Sequence, residues 1–326
     1  MPAAAVSRLA AISHLTVHVA APLSQFTRFQ IGGPAAVLCE TTDAQAFTEA
    51  LRLTKSLALP RMILGGGTNL VVADAGFDGV VLRFAGTKIS SDGLVLEAES
   101  GAVLQDVVDE SIAFQLQGLE TMTGIPGYLG GAVYGNAGAY GHSMQEIVAT
   151  VQVTDGESVF SMNNQDCRFG YRESIFKERK QWVILSTGLK FRSGDREALL
   201  KTAGEIRTVR DAKYPPTMKC AGSIFKNVFF AELPANAQAE VPRNLVRDGK
   251  VPSAWFLEQA DVKGMRRGDI QVAAYHANLI YNDGAGTAAD LLAVIDKLKV
   301  RVRERFGFDL QEEVQYVGFD YATSPS

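Results

Sequence analysis

Between Thr123 and Gly141 the chain carries Gly124, Gly127, Gly130, Gly131, Gly135, Gly138 and Gly141. A stretch so poor in side chains cannot fill an ordinary core, but its backbone can come very close to a ligand. Ile125, Pro126, Asn136 and Ala139 belong to the same stretch. A shorter set, Gly65, Gly66 and Gly67, follows the strand-like run 61–64 and is itself followed by Thr68, Asn69 and Leu70. Bare N–H groups in such a turn approach a phosphate, and Thr68 and Asn69 add donors. No lysine followed by serine or threonine comes after these glycines, which excludes a Walker loop, and the spacing departs from GxGxxG. Alone, the short set is equally explained by a tight turn. Two such loops, with the Ser100-Gly101-Ala102 turn nearby, fit an extended dinucleotide better than a single phosphate.

At 326 residues the chain is longer than a single core usually supports, so two or three sub-domains around one site are expected. The apolar share of 47% and charged share of 21% are those of a globular protein. A formal charge of -4 supplies no field for nucleic acid or an anionic membrane. Basic residues gather locally between Lys213 and Arg267, either to meet an anionic ligand or as a solvated face. Three widely spaced cysteines, Cys39, Cys167 and Cys220, fit reduced cytosolic thiols better than disulfides. Arg8 interrupts the N-terminal apolar run, and no run approaches the roughly 20 residues that span a bilayer. A cytoplasmic protein, without membrane insertion or nucleic-acid partner, is expected.

Apolar runs at 35–39 and 61–64 flank a helical pattern at 43–55, which reads as a βαβ unit. Strands at 79–84 and 94–97 and a helix at 102–115 lead into the glycine-rich stretch. Strands at 148–154 and 182–191 and a helix at 195–210 end at Pro215-Pro216. Near the C-terminus Thr287 and Asp290 read as a capping box, Leu291, Ile295, Leu298 and Val302 share one helix face, and Gly307 stops the helix. A strand at 313–317 follows. Domains are expected at 1–90, 91–205 and 206–326.

From residue type alone the chemistry stays open. Arg172 suits a surface pair with Glu173 or Asp166 as well as an anion clamp, Glu313 suits a solvated position beside Glu312, and Ser223 is an ordinary turn former. His276 suits a structural role as well as a ligand-lining one. His14 and His18 are four apart in an irregular stretch, and no metal site is assigned.

Order and spacing add more. The loops 65–70 and 123–141, with Gly32-Gly33-Pro34, Tyr171-Arg172-Glu173-Ser174-Ile175-Phe176, Ala221-Gly222-Ser223-Ile224-Phe225-Lys226-Asn227, His276-Ala277-Asn278 and Leu310-Gln311-Glu312-Glu313-Val314, resemble the UDP-N-acetylenolpyruvoylglucosamine reductases from about residue 20 to 318. The resemblance implies an α+β fold: an FAD-binding fold of the PCMH/VAO type in two α/β sub-domains, then a C-terminal α+β substrate-binding domain. It implies bound FAD, NADPH as co-substrate, a UDP-sugar enolpyruvate substrate and a monomeric enzyme of peptidoglycan precursor synthesis. Arg172 would stabilise negative charge at the substrate carboxylate, Glu313 would assist as a protonated partner, and Ser223 would donate the final proton. Tyr140, Lys213, Lys226, Asn227 and His276 would contact substrate. An FAD-dependent sugar oxidase of the same fold and a non-catalytic flavin- or nucleotide-sugar-binding regulator are the rival readings.

Three departures stand out. There is no room between Ser186 and Asp211 for the tyrosine-bearing loop of one branch of that family, so the sequence resembles the other branch. Residues 228–252 form an insertion, which could be a helical flap or a surface excursion. At the N-terminal motif Phe26 and Gln30 stand where asparagine and a basic residue are frequent.

Overall fold

The three longest described helices start where the sequence supplies a side-chain cap. Asp43 Oδ1 accepts from the N–H groups of Gln45 and Ala46, each at 2.8 Å, and helix Ala44–Ser56 follows. Asp195 Oδ1 accepts from Ala198 at 2.9 Å and starts helix Arg196–Lys213. Such caps satisfy N–H groups that have no partner inside the helix, and each contributes about 1 kcal/mol.

The computed structural model describes residues 1–319, so the end of the third expected domain, 320–326, lies outside the described residues. The chain divides into two units. The first comprises Met1–Ala21, Ala35–Gly67 and Asp78–Pro215, and the second comprises Pro22–Pro34, Thr68–Phe77 and the chain from Pro216 onward.

The first unit holds two larger sheets. One runs in the order Thr16–Pro22, Pro34–Thr41, Phe77–Phe84, Arg61–Ile63, the last two being parallel. Helix Ala44–Ser56 turns Phe47, Ala50 and Leu51 into a core with Val37, Cys39, Val80 and Leu82. The two strands of the expected βαβ unit, at 35–39 and 61–64, are therefore separated in the sheet by Phe77–Phe84. That strand is buried without a break from Gly79 to Leu82, as a central strand covered on both faces should be. The other sheet is antiparallel, in the order Val159–Asn163, Val148–Thr154, Val183–Lys190, Val95–Glu99, Ile89–Asp92. Its core joins Leu96, Val151, Val153 and Leu189 to Val107, Val108 and Ile112 of helix Leu104–Ala113 and to Leu129 and Val133. Full burial of one such aliphatic side chain contributes roughly 1.5–3 kcal/mol.

The second unit carries an antiparallel sheet in the order Cys220–Ser223, Leu279–Asn282, Ile270–Val272, Arg266–Arg267. Its long helix, Ala288–Phe306, buries Leu291, Ile295, Leu298, Val302 and Phe306, and ends at Gly307 with φ 78°. The cap differs from a reciprocal box. Thr287 Oγ1 accepts from Asp290 N at 3.0 Å, but the Asp290 carboxylate pairs with Arg267 at 3.0 Å. The first-turn N–H groups of Ala288 and Ala289 donate instead to Asp74, at 2.8 and 3.0 Å.

The insertion is an anchored excursion. Val228–Phe229 pairs with Lys250–Val251 at its base, and it contains helix Ala235–Glu240. It buries Leu233, Ala237 and Val241, and Asn236 Nδ2 donates to Phe306 O at 3.1 Å.

All three cysteines are free and buried. Burial pushes the Cys39 thiol up to about 12, and burial with the nearby Asp166 charge raises Cys167 to about 11. Because the thiolate is the reactive form, the native protein should resist a disulfide reagent at about pH 8, and all three thiols should react after denaturation. Rapid labelling of any cysteine in the native protein would contradict this packing.

Candidate functional site

In the first unit the glycine loops meet backbone to backbone. A Cβ added to Gly66 would lie 2.9 Å from Gly127 Cα and 3.3 Å from Tyr128 N, a separation only glycine tolerates. The 123–141 stretch is fixed from below by Leu104 N donating to Gly127 O, Leu129 N to Ala102 O and Gly130 N to Ser100 O, each at 2.9 Å. The three segments 65–67, 100–102 and 124–131 thus form one surface made largely of main chain. A Cβ on Gly65 or Gly131 meets no protein atom within 4 Å. The surface is open where those residues face outward, which suits a bound dinucleotide.

Arg172 is strapped onto the same stretch. Its Nη2 donates to Gly138 O at 3.0 Å. Its neighbours do likewise: Asn136 Nδ2 donates to Gly170 O at 2.7 Å, and Ser174 Oγ to Tyr134 O at 2.6 Å. Arg172 sits at φ 59°, with Asn136 at 42° and Tyr140 at 54°, a left-handed region that side chains seldom enter and that surrounding bonds must hold. Lys177 Nζ supplies one such bond, to Arg172 O, and lies 3.7 Å from Glu173. Gly138, Ala139 and Ile125 are half-buried, while Tyr140 is exposed. Lys213 ends helix Arg196–Lys213 with its ammonium 5.1 Å from the Tyr214 ring centre. Arg210, one turn earlier, packs on Gly124.

The second unit gathers Ser223, Lys226, Glu313, His276, Thr68, Asn69 and Leu70. Gly222, at φ 75°, breaks the regular pairing between Cys220 and Ser223. Beyond Ser223, Ile224 O accepts from Glu313 N at 2.7 Å and Lys226 N donates to Gln311 O at 2.9 Å. Asn69 Nδ2 donates to Glu313 O at 3.0 Å, and Leu70 pairs with Gln315. The strand expected at 313–317 begins only at Gln315, because Glu312 forms an isolated bridge with Phe225. Strand alternation therefore does not separate the two glutamates. An ion pair does: Glu312 meets Lys299 at 3.0 Å with both side chains nearly buried.

Asn278 holds this arrangement in place. Its Oδ1 accepts from Phe225 N and its Nδ2 donates to Phe225 O, both at 2.9 Å, and its own N–H donates to His276 Nδ1 at 3.2 Å. That last bond keeps the His276 ring in the Nε2–H tautomer. Asn227 Oδ1 accepts from Ser253 N at 3.4 Å.

Sequence reasoning missed the brace residues Lys177 and Lys299. Glu173 and Lys177 are four apart, the spacing of a side-chain pair. Lys299 falls on the apolar stripe between Ile295 and Val302, and a lysine in that place needs a buried partner.

Residues 34–159 match the family model for an FAD binding domain, and 214–317 match that for the C-terminal domain of UDP-N-acetylenolpyruvoylglucosamine reductase. A UDP-N-acetylenolpyruvoylglucosamine reductase of Solibacter usitatus is 54% identical over 311 residues, 95% of this chain and 100% of the relative. That of Rubrobacter xylanophilus is 36% identical over 301 residues, covering 91% and 94%. The crystal structure of UDP-N-acetylenolpyruvylglucosamine reductase from Thermus caldophilus matches with a TM-score of 0.72 at 28% identity, covering 93% of this chain and 98% of that one. The α+β fold, an FAD-binding module followed by a C-terminal domain, is the one these matches show.

Gly66→Ala should destabilise the protein by roughly 1–3 kcal/mol, because backbone must move to admit the methyl group. Gly65→Ala, whose methyl meets no protein atom, should unfold at the parental temperature. Equal melting temperatures for the two variants would contradict the close approach at Gly66.

Proposed function

Because the chain belongs to the UDP-N-acetylenolpyruvoylglucosamine reductase family, we propose that it reduces UDP-N-acetylglucosamine enolpyruvate to UDP-N-acetylmuramate with bound FAD and with NADPH as hydride donor. One observation supports this reading above the others: the candidate catalytic groups are tied to candidate flavin loops within their own units. Arg172 bonds to Gly138. Glu313 bonds to Asn69 through its carbonyl and to the Ser223 strand through Ile224.

FAD bound there would supply the chemistry of hydride transfer from NADPH to the enolpyruvyl carbon. Main-chain groups of Gly65, Gly66 and Gly67, the side chains of Thr68 and Asn69, the 100–102 turn and Gly124, Ile125, Pro126, Gly127, Gly131, Asn136, Gly138 and Ala139 would hold it. Hydride arriving at one carbon leaves negative charge on its neighbour and on the attached carboxylate. The Arg172 guanidinium, with two parallel N–H groups, suits that carboxylate better than a point ammonium. Glu313, protonated, donates to the same developing charge without adding repulsion. Ser223 gives its hydroxyl proton to the carbanionic carbon, completing the saturated ether, and regains a proton from solvent. Tyr140, Lys213, Lys226, Asn227 and His276 are proposed substrate contacts. The buried free thiols support a reducing, cytoplasmic setting, and no described helix is long and apolar enough to cross a membrane.

The two glutamates separate chemistry from stability. Glu313→Gln should lose most turnover with little change in melting temperature. Glu312→Gln should keep turnover at moderate temperature but melt earlier, because Lys299 is left buried without its counter-charge, at roughly 3–5 kcal/mol. Melting curves and steady-state rates check both, and the reverse pattern would move the catalytic role to Glu312.

Stopped-flow absorbance tests the reaction directly. Ser223→Ala should bleach flavin with NADPH at the parental rate, since that half-reaction needs no carbon acid. Its reoxidation by the enolpyruvyl substrate should slow by about 10²- to 10⁴-fold, the usual contribution of a general acid. Parental reoxidation would remove Ser223 from the role, and absence of NADPH-dependent turnover in the parent would overturn the proposed function.

A further inference from the structure

Near the glycine surface of the first unit lies a polar cluster that the reaction above does not use. Arg83, on strand Phe77–Phe84, extends its guanidinium between two partners. Nη1 pairs with Glu40 of the neighbouring strand, Pro34–Thr41, and Nη2 donates to the Tyr128 hydroxyl. The Arg83 side chain is four-fifths buried.

Tyr128 stands in the middle of the candidate cofactor surface. It follows Gly127, which meets Gly66, it forms an isolated bridge with Val103, and it precedes helix Leu129–Tyr134, whose second residue bonds to Ser100. Its side chain is only half-buried. Just past the end of the strand that carries Arg83 comes Ala85, whose Cα lies 2.7 Å from the position of a Cβ on Gly101.

Hydrogen-bond inventory decides what Tyr128 can do. A guanidinium has donors and no acceptor, so the phenol oxygen must be accepting from Arg83. The phenol's single hydrogen must then point to another acceptor. Donors polarised by a neighbouring cation bind anionic or carbonyl oxygen more strongly. Glu40 sets the cluster's charge by neutralising Arg83, and so leaves Tyr128 a donor in a site without excess positive charge.

We propose that the Tyr128 hydroxyl donates its hydrogen bond to an oxygen of bound FAD, and that Arg83, fixed by Glu40, is the positioning residue that orients it. The inference rests on the flavin reading above and adds a cofactor contact to it.

The test is FAD release from the full-length holoenzyme on dilution, followed by recovery of free-flavin fluorescence, with thermal unfolding of the flavin-free chain as control. Tyr128→Phe should weaken FAD binding about tenfold, the effect of one hydrogen bond to a charged or strongly polar group, while the flavin-free chain melts as the parent does. Arg83→Met should weaken binding similarly, and the double variant should be no weaker than Arg83→Met alone, because the two residues act as one donor. Unchanged FAD affinity in Tyr128→Phe would overturn the proposal. So would a weakening matched by an equal loss of stability in the flavin-free chain, which would mark the phenol as structural. A parent that binds no FAD would overturn the flavin reading itself, and this contact with it.

Discussion

The constraint on which the first unit depends is the contact between two pieces of bare backbone, Gly66 and Gly127. Everything else there serves to hold that approach. Two sheets and two apolar cores carry the loops, the 100–102 turn supports the longer one through main-chain bonds, and Arg83 joins the strand layer to Tyr128. Glycine is costly in a folded chain because it loses more conformational freedom than any other residue. Such a concentration of it is sustained only where close approach is needed.

The second unit solves a different problem, the placing of side chains. Asn278 engages both polar groups of the Phe225 main chain, so the strand bearing Ser223 cannot slide without leaving a buried N–H and a buried carbonyl unmatched, at roughly 1–3 kcal/mol each. Lys299 fixes Glu312 in the same way, and the adjacent Glu313 is tied by its backbone to Ile224 and Asn69. Arg172 in the first unit follows the same logic: a left-handed backbone held by Lys177 and Gly138.

Much of this was legible in the sequence where a local rule governs it. The helices opening at 43 and 195, the cap at Thr287, the apolar stripe of the last long helix and the stop at Gly307 are short-range features, and the structure contains each of them. Strand order was not legible, since Phe77–Phe84 takes the centre of its sheet through long-range pairing that no window of sequence records. The second arm of the cap at Thr287 failed for a related reason, because Arg267, distant in sequence, captures Asp290. The candidate site divides along the same line. Its glycine framework could be seen in composition, and the Glu173–Lys177 spacing was there to be read, but the braces Asn278 and Lys299 act through partners that only the fold brings near, and Arg83 gave no local signal at all.

The claim that the main-chain surface of the first unit holds a flavin is tested most directly by the visible absorption spectrum of the purified protein, before and after denaturation, with FAD reconstitution if the protein is isolated empty. The account predicts a yellow protein with the two bands of an oxidised flavin, and a chromophore released on unfolding that is identified as FAD. A colourless protein that takes up no FAD on reconstitution would contradict it.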